Sequence, residues 1–301
     1  PEDAAIFATP QDQLIQTVDQ ITSPIDNPYL FGKIACLHAL SDVFAMNTKP
    51  LSLQVILNLP YAAEAIQAEE MSLVMKGLLE VAKRYQCNLL GGHTAEAKEL
   101  SLGLVINAVP VEGSALFKKE NLQAGDHLIL TKAIGTGVIL AADMQNLSKG
   151  GWHKAALTSM LLSNKNASAL FSSLGVLACT DVTGFGLAGH LSEMLEASHC
   201  SAELIVENVP CLDGAVELSK QGIKSSLFPQ NYALIKSLAL SDEVIKHAKF
   251  ELLFDPQTSG GLLAGVNDAA LEKLQSQRGV EFTVIGRVVE SLDNDWDLSF
   301  A

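Results

Sequence analysis

Four aspartates and three glycine-rich stretches are the residues of this 301-residue chain whose types and settings could do chemistry. The aspartates are Asp3 in PEDAAIF, Asp19 in QTVDQI, Asp42 in HALSDVFAMNTKP and Asp181 in CTDVTGFG. Each stands beside apolar residues, where an ionised carboxylate is expensive unless a cation accompanies it. With Asp+Glu 34 against Lys+Arg 20, the formal charge is -14, so a phosphate ligand would need cations brought with it. Carboxylates holding Mg2+ are therefore the first chemistry to consider. Taken singly, each acid also has a plainer reading. Asp3 is a solvated chain-end residue or a helix cap, Asp42 an acid on the polar face of a helix, and Asp19 a turn former at a strand end.

The glycines divide less cleanly. Gly184-x-Gly186-x-x-Gly189 has the spacing of a dinucleotide fingerprint, with Glu203 and Glu207 near the distance at which an acid should follow. The first glycine should come directly off a strand, however, and Thr180-Asp181-Val182-Thr183 intervenes. Asp181 is then the informative residue, Gly184 and Gly186 shape a loop, and Gly189 lets the following helix pack closely. LLGGHTAE reads as a strand running into a loop, Gly91-Gly92-His93-Thr94, whose bare backbone N–H groups could approach an anion; it also reads as a simple turn. FDPQTSGGLLAG repeats that choice, with a tight hairpin as the alternative. There is no G-x-x-x-x-G-K-[ST] and no protein-kinase signature. DNDWD lacks the glutamate that would complete a calcium loop, and the seven histidines have no metal spacing.

These residues need elements to position them. LIQTVDQI, LSLQVILNL and SLGLVINAVP alternate apolar and polar residues, as half-buried strands do. The run Gly32 to Met46 and AEEMSLVMKGLLEVAKRYQC carry helical patterns, so the first 110 residues alternate β and α. Turn formers from Ser114 to Asp126 mark a domain boundary. Beyond it come a strand at HLILT, a helix at VILAADMQN, the helical HKAALTSMLLSNKNASALFSSLG, and strands at AELIVE, FELLFD, GLLAGV and FTVIGRVV.

Composition sets the outer limits. A chain that is 48% hydrophobic and 18% charged buries a large core, and its length suits two domains. The acidic balance opposes nucleic acid and anionic membrane surfaces, and no apolar run approaches a membrane span. Five scattered cysteines point to a reduced, cytoplasmic protein.

PEDAAIF, TVDQITSPIDNPYLFGKIACLHALSDVFAMNTKP, LLGGHTAEAKELSLGLVINAV, LTKAIGTGVI, TDVTGFGLAGHLSEM and FDPQTSGGLLAGV together resemble, in order and spacing, the selenophosphate synthetases, or selenide, water dikinases. That family belongs to the superfamily of aminoimidazole ribonucleotide synthetase, the hydrogenase-maturation dehydratases and thiamine-monophosphate kinase. The resemblance implies an α+β, mixed α/β fold of two domains. Residues 1–115 would bind ATP and Mg2+ and pair their sheet with a second copy in a dimeric barrel, and residues 116–301 would form an α/β domain. It implies metal binding by Asp3, Asp42 and Asp181. It also implies nucleotide contacts from Asp19, Asp42 and the loop Gly91, Gly92, His93 and Thr94. The implied reaction converts ATP, selenide and water to selenophosphate, AMP and phosphate.

The family carries a catalytic Cys or selenocysteine and a Lys ahead of its first aspartate, and no residue here matches them. The expectation is that Pro1 begins the C-terminal portion of a longer polypeptide, one fused to another enzyme, and that the portion alone is inactive. Two further departures stand out. Asn47-Thr48 replaces a Gly-Gly pair, and SSLFPQN occupies the place of a Gly-Gly-Thr/Ser loop. They motivate an alternative, a non-catalytic dimerisation module of the same fold. Another superfamily kinase or dehydratase with a different acceptor is a third reading.

Overall fold

The computed structural model describes residues 2–8, 13–238, 242–277, 279–291 and 297–300. The DNDWD stretch, apart from Asp297, lies outside the described residues. The chain divides into two compact units: residues 2–116 together with Leu161–Ser163, and Phe117–Met160 together with the chain from Asn164 onward.

The first unit runs β1 (Ala5–Ala8), β2 (Gln13–Thr22), α1 (Pro28–Ala45), β3 (Thr48–Pro60), α2 (Glu64–Arg84), β4 (Asn88–Ala97) and β5 (Ser101–Pro110). Its sheet has the order β1-β2-β5-β3-β4. Only β3 and β4 pair in parallel, and α2 supplies the long crossover that a parallel pair requires. Strand alternation sends Ile15, Leu53, Val55, Leu57, Leu102, Leu104 and Ile106 into one core with α1. The opposite face carries Val18 and Ile56 in the open, 72% and 47% exposed. Helix α1 is buried almost all round, and its ends are fixed by local chemistry. Asn27 accepts the Leu30 N–H at 3.0 Å, with Pro28 in the first turn. At the other end Asn47 takes a left-handed φ of 54°. Gly32 and Gly77 let α1 and α2 cross closely: a Cβ on either would lie about 2 Å from a carbonyl oxygen of the other helix.

The second unit runs β6 (His127–Leu130), α3 (Thr136–Met144), α4 (Gly150–Met160), α5 (Lys165–Ser173), β7 (Ala178–Asp181), α6 (Gly186–Ser198), β8 (Ser201–Leu204), α7 (Ala215–Lys220), α8 (Phe228–Tyr232), α9 (Asp242–Ile245), β9 (Leu262–Val266), α10 (Asp268–Ser276), β10 (Thr283–Val289) and β11 (Leu298–Phe300). Its sheet order is β11-β8-β10-β6-β9-β7. The helical stretch expected from His153 to Gly175 is two helices, α4 and α5, broken before Asn164, whose amide donates to the Gly260 carbonyl at 2.9 Å. FELLFD is not a strand. Phe250–Phe254 forms a 3-10 turn, and Phe250 and Phe254 meet edge to face at 5.4 Å across it. A short apolar run has no period of its own, so tertiary packing decides its form.

Candidate active site

Alternation along β2 turns Ile15, Thr17 and Asp19 inward and leaves Gln16, Val18 and Gln20 outward. On α1, His38 and Asp42 stand four residues apart, on one face. Two residues of strand advance about 6.6 Å and four residues of helix about 6 Å, so two inward strand positions match two helix positions. The match is made in full: Thr17 Oγ1 donates to Asp42 Oδ2 at 2.5 Å, and His38 Nε2 lies 3.0 Å from Asp19 Oδ2. Both partners are buried, Thr17 and His38 alike. Burial would raise the Asp19 pKa. The His38 hydrogen bond and charge, with the Gln20 N–H, outweigh burial and hold the carboxyl below its ordinary value. This ladder fixes the conformations of two half-buried carboxylates.

Asp19 is therefore no turn former; it lies within β2, paired to a helix. Asp3 stands two residues before β1, where β1 pairs antiparallel with β2 and Ala5 faces Gln16, hence at the end of that pairing nearest Thr17 and Asp19. Gly91, Gly92, His93 and Thr94 do not form a loop. They lie inside β4, the edge strand of the sheet, opposite Gln54, Val55, Ile56 and Leu57. A Cβ on Gly92 would come 2.1 Å from the Val55 carbonyl oxygen, so the glycine there is imposed by close strand approach.

Asp181 belongs to the second unit. It ends β7, opposite Leu262 of β9, and is 1% exposed. The turn that follows is tied at successive backbone groups. The Val182 N–H donates to Gly261 O (2.8 Å), the Thr183 N–H to His190 Nε2 (3.1 Å), and the Gln257 N–H to Thr183 O (2.9 Å). Asn231, from the SSLFPQN segment, donates to Gly184 O at 2.8 Å. Of the three glycines, Gly186 has a left-handed φ of 72° and passes against the Leu253 and Asp255 carbonyls. Gly184 has open space around it, and Gly189 leaves room for the Phe185 side chain rather than for another element.

DPQTSGG is neither a hairpin nor an open anion loop. It closes the N-terminus of α3: the Gln257 side-chain Oε1 accepts from Gly135 N, Thr136 N and Thr136 Oγ1, and Asp255 Oδ2 accepts from Val138 N at 3.0 Å. Burial pushes the Asp255 carboxyl up to about 7 against those hydrogen bonds. A Cβ on Gly137 would meet the Pro256 carbonyl oxygen at 2.4 Å. Lys132, of LTKAIGTG, donates to Ser259 O at 2.8 Å; burial lowers its pKa to about 7, with the Asp181 charge opposing.

Thr17, His38, His190 and Gln257 were not signalled as site residues by the sequence. Two signals were present. Thr17 and Asp19 share a strand face by alternation, and His38 precedes Asp42 by one helical turn. Among the described residues no three His, Cys, Asp or Glu side chains gather as a metal cage. Mg2+ seldom uses one, binding through one or two carboxylates plus the phosphates of its substrate.

Residues 1–109 match the family described as AIR synthase related protein, N-terminal domain, and residues 123–295 its C-terminal domain. Solved structures share the fold at low identity. Hydrogenase maturation protein HypE superposes with a TM-score of 0.74 at 16% identity, covering 100% of this chain and 89% of that one. Thiamine-monophosphate kinase from Stenotrophomonas maltophilia K279a gives 0.71 at 17%, covering 96% and 85%. The chain is thus a two-domain protein of the AIR synthase-like fold. Closer relatives narrow the class: the selenide, water dikinase of Clostridioides difficile is 34% identical over 96% of this chain and 83% of that protein. That of Salmonella typhi is 35% identical over 96% and 83%. The chain belongs to the selenide, water dikinase family.

Proposed function

We propose that this chain binds ATP with Mg2+ and serves the synthesis of selenophosphate, in which ATP, selenide and water give selenophosphate, AMP and phosphate. The observation that carries this reading is identity of 34–35% along nearly the whole chain with proteins named selenide, water dikinase. The donor set agrees with it. Asp42 and Asp19 are carboxylates held by Thr17 and His38, and Asp181 is a buried acid at a strand end. Asp3, Asp42 and Asp181 would hold Mg2+, which would neutralise polyphosphate charge. Asp19, kept ionised by His38, would accept a hydrogen bond from the nucleotide, and the edge strand carrying Gly91, Gly92, His93 and Thr94 would run beside it. The departure at Asn47 does not favour a non-catalytic module, because Asn47 keeps the left-handed φ of 54° for which glycine is usual.

The same reading assigns a partner and a place. The outer face of the first sheet, with Val18, Ile56 and Phe7 exposed among the Gln16–Asn107 and Asn58–Ser101 hydrogen bonds, supports a second copy of the chain as the homodimer partner. Among the described residues its cysteines form no disulfide, which suits the cytoplasm. Calorimetry with ATP, with and without Mg2+, tests the binding, and phosphorus NMR of AMP formation dependent on selenide tests the reaction in the full-length protein. Asp42→Ala and Asp181→Ala should each weaken Mg2+-dependent binding. Absence of nucleotide binding by the full-length protein would end the reading.

A further inference from the structure

The turn after Asp181 is held by a histidine that the proposed chemistry does not use. His190 lies on α6, buried, and its Nε2 accepts the Thr183 N–H at 3.1 Å, with Thr183 Oγ1 at 3.2 Å. An imidazole nitrogen that accepts an amide N–H carries no proton, so the hydrogen sits on Nδ1. That edge faces Glu193 Oε2 at 3.8 Å, and the same oxygen receives the buried Lys119 Nζ at 2.8 Å. Phe185 covers the ring, centroid to centroid 5.5 Å. The segment bearing Lys119 is itself fastened to α6, because Ser198 Oγ donates to Lys119 O at 2.8 Å. Nδ1 makes no hydrogen bond among the described residues, so the ring's hydrogen bonds are those at Nε2, to Thr183. Burial, and then the Lys119 charge, lower its pKa to about 3, so the acceptor persists at any working pH.

We infer that His190 is a positioning residue: through the Thr183 N–H it fixes the Val182–Gly184 turn and so aims the Asp181 carboxylate at the Mg2+–nucleotide. The inference rests on the reading of Asp181 given above. Thr183 is the natural point of control, since its N–H goes to His190 while its carbonyl takes the Gln257 and Gly186 N–H groups. Without the histidine acceptor, one of the ties on the residue two beyond Asp181 is gone, and a part-buried N–H is left to seek another partner. Loss of such an outer partner typically costs a metal site tenfold or more.

Two measurements test it. In the protein labelled with 15N, a scalar coupling across the hydrogen bond from the Thr183 nitrogen to His190 Nε2, with Nδ1 protonated, is expected; a protonated Nε2 would overturn the clamp whether or not nucleotide binds. In calorimetry, His190→Leu should weaken Mg2+-dependent ATP binding about tenfold. ATP binding in EDTA should be unchanged, and His190→Gln, which keeps a distal acceptor, should restore most of the loss. Wild-type affinity in a folded His190→Leu protein, or equal losses with and without Mg2+, would refute the positioning role. If the wild-type protein itself ignores Mg2+–ATP, the function reading fails, and the NMR result still decides the clamp.

Discussion

Asp255 and His190 both lie buried in the second unit, and their proton linkages oppose each other. The Asp255 carboxyl moves from 3.8 to about 7 on folding, chiefly by burial. Between those values the folded chain keeps a proton that the unfolded chain has released, so stability is lost as pH rises through the window. His190 moves from 6.5 to about 3, again chiefly by burial. There the unfolded chain holds the extra proton, and stability is gained as pH rises. Each group alone tilts the unfolding free energy by ~1.4 kcal/mol per pH unit, and from about pH 4.5 to 6 the two tilts cancel. Asp255→Asn should therefore make the free energy rise by ~2 kcal/mol more than wild type over that interval, and His190→Gln should make it fall by ~2 kcal/mol more. The double variant should return to the wild-type slope. Asp255→Asn also sets an amide against the Gln257 amide, which already donates to Asp255 at 3.1 Å, so it lowers stability at every pH without altering the slope argument. Urea unfolding followed by tryptophan fluorescence suits the assay. Trp152 lies in the second unit with Lys149 Nζ 4.0 Å from its ring centre, and Trp296 follows in the same half of the sequence. Slopes that change in the same direction in the two single variants, or in neither, would refute the reasoning.

Gly137→Ala puts a Cβ 2.4 Å from the Pro256 carbonyl oxygen, so despite better helix propensity it should lower stability by ~1–3 kcal/mol in thermal melts; a stabilised variant would contradict the packing. Asn47 donates to the Ala115 carbonyl at 2.8 Å from its left-handed conformation. Asn47→Gly should cost ~1 kcal/mol for the hydrogen bond, and Asn47→Ala a further 1–2 kcal/mol, roughly, for strain; the reverse order in denaturant titrations would show that φ is not the constraint. Thr17→Val keeps shape but leaves Asp42 without the Thr17 hydroxyl, and should weaken Mg2+-dependent ATP binding about tenfold with the melting temperature little changed. Unchanged affinity would remove Thr17 from the site.

Much of the first unit was legible because its elements are long and most of its strands are one-sided. β2, β3 and β5 alternate cleanly, and α1 and α2 carry helical patterns over many turns. The Gly91-Gly92 pair misled because glycine is rare within strands, and the approach of Val55 from β3 that explains Gly92 is not visible in the sequence. FELLFD misled for the opposite reason: its residues suit a strand, yet the Phe250 and Phe254 rings pack as a turn. At the site, the acids themselves could be picked out locally. Their partners could not. Thr17 meets Asp42 across 25 residues of sequence, and Gln257 meets Thr136 across 121, so those pairings exist only once the fold brings the elements together.

The glycine-rich stretches of the second unit have the composition of phosphate cradles, but their amides are already engaged. Gly135, Thr136 and Val138, at the start of α3, donate to Gln257 and Asp255. Thr183, ahead of α6, donates to His190, and Gly186, the first residue of α6, donates to Thr183 O. Helix N-termini attract anions because their first N–H groups lack partners and the dipole favours negative charge. At α3 side chains fill that role, and one of them is a carboxyl. The helix N-terminus at α3 is closed in this way, and the net charge of -14 further disfavours a polyphosphate that comes without cations. Cations recruited by Asp3, Asp42 and Asp181 would meet that need. On the function proposed above, His190, which holds the turn after Asp181, would act on the ligand indirectly through that carboxylate.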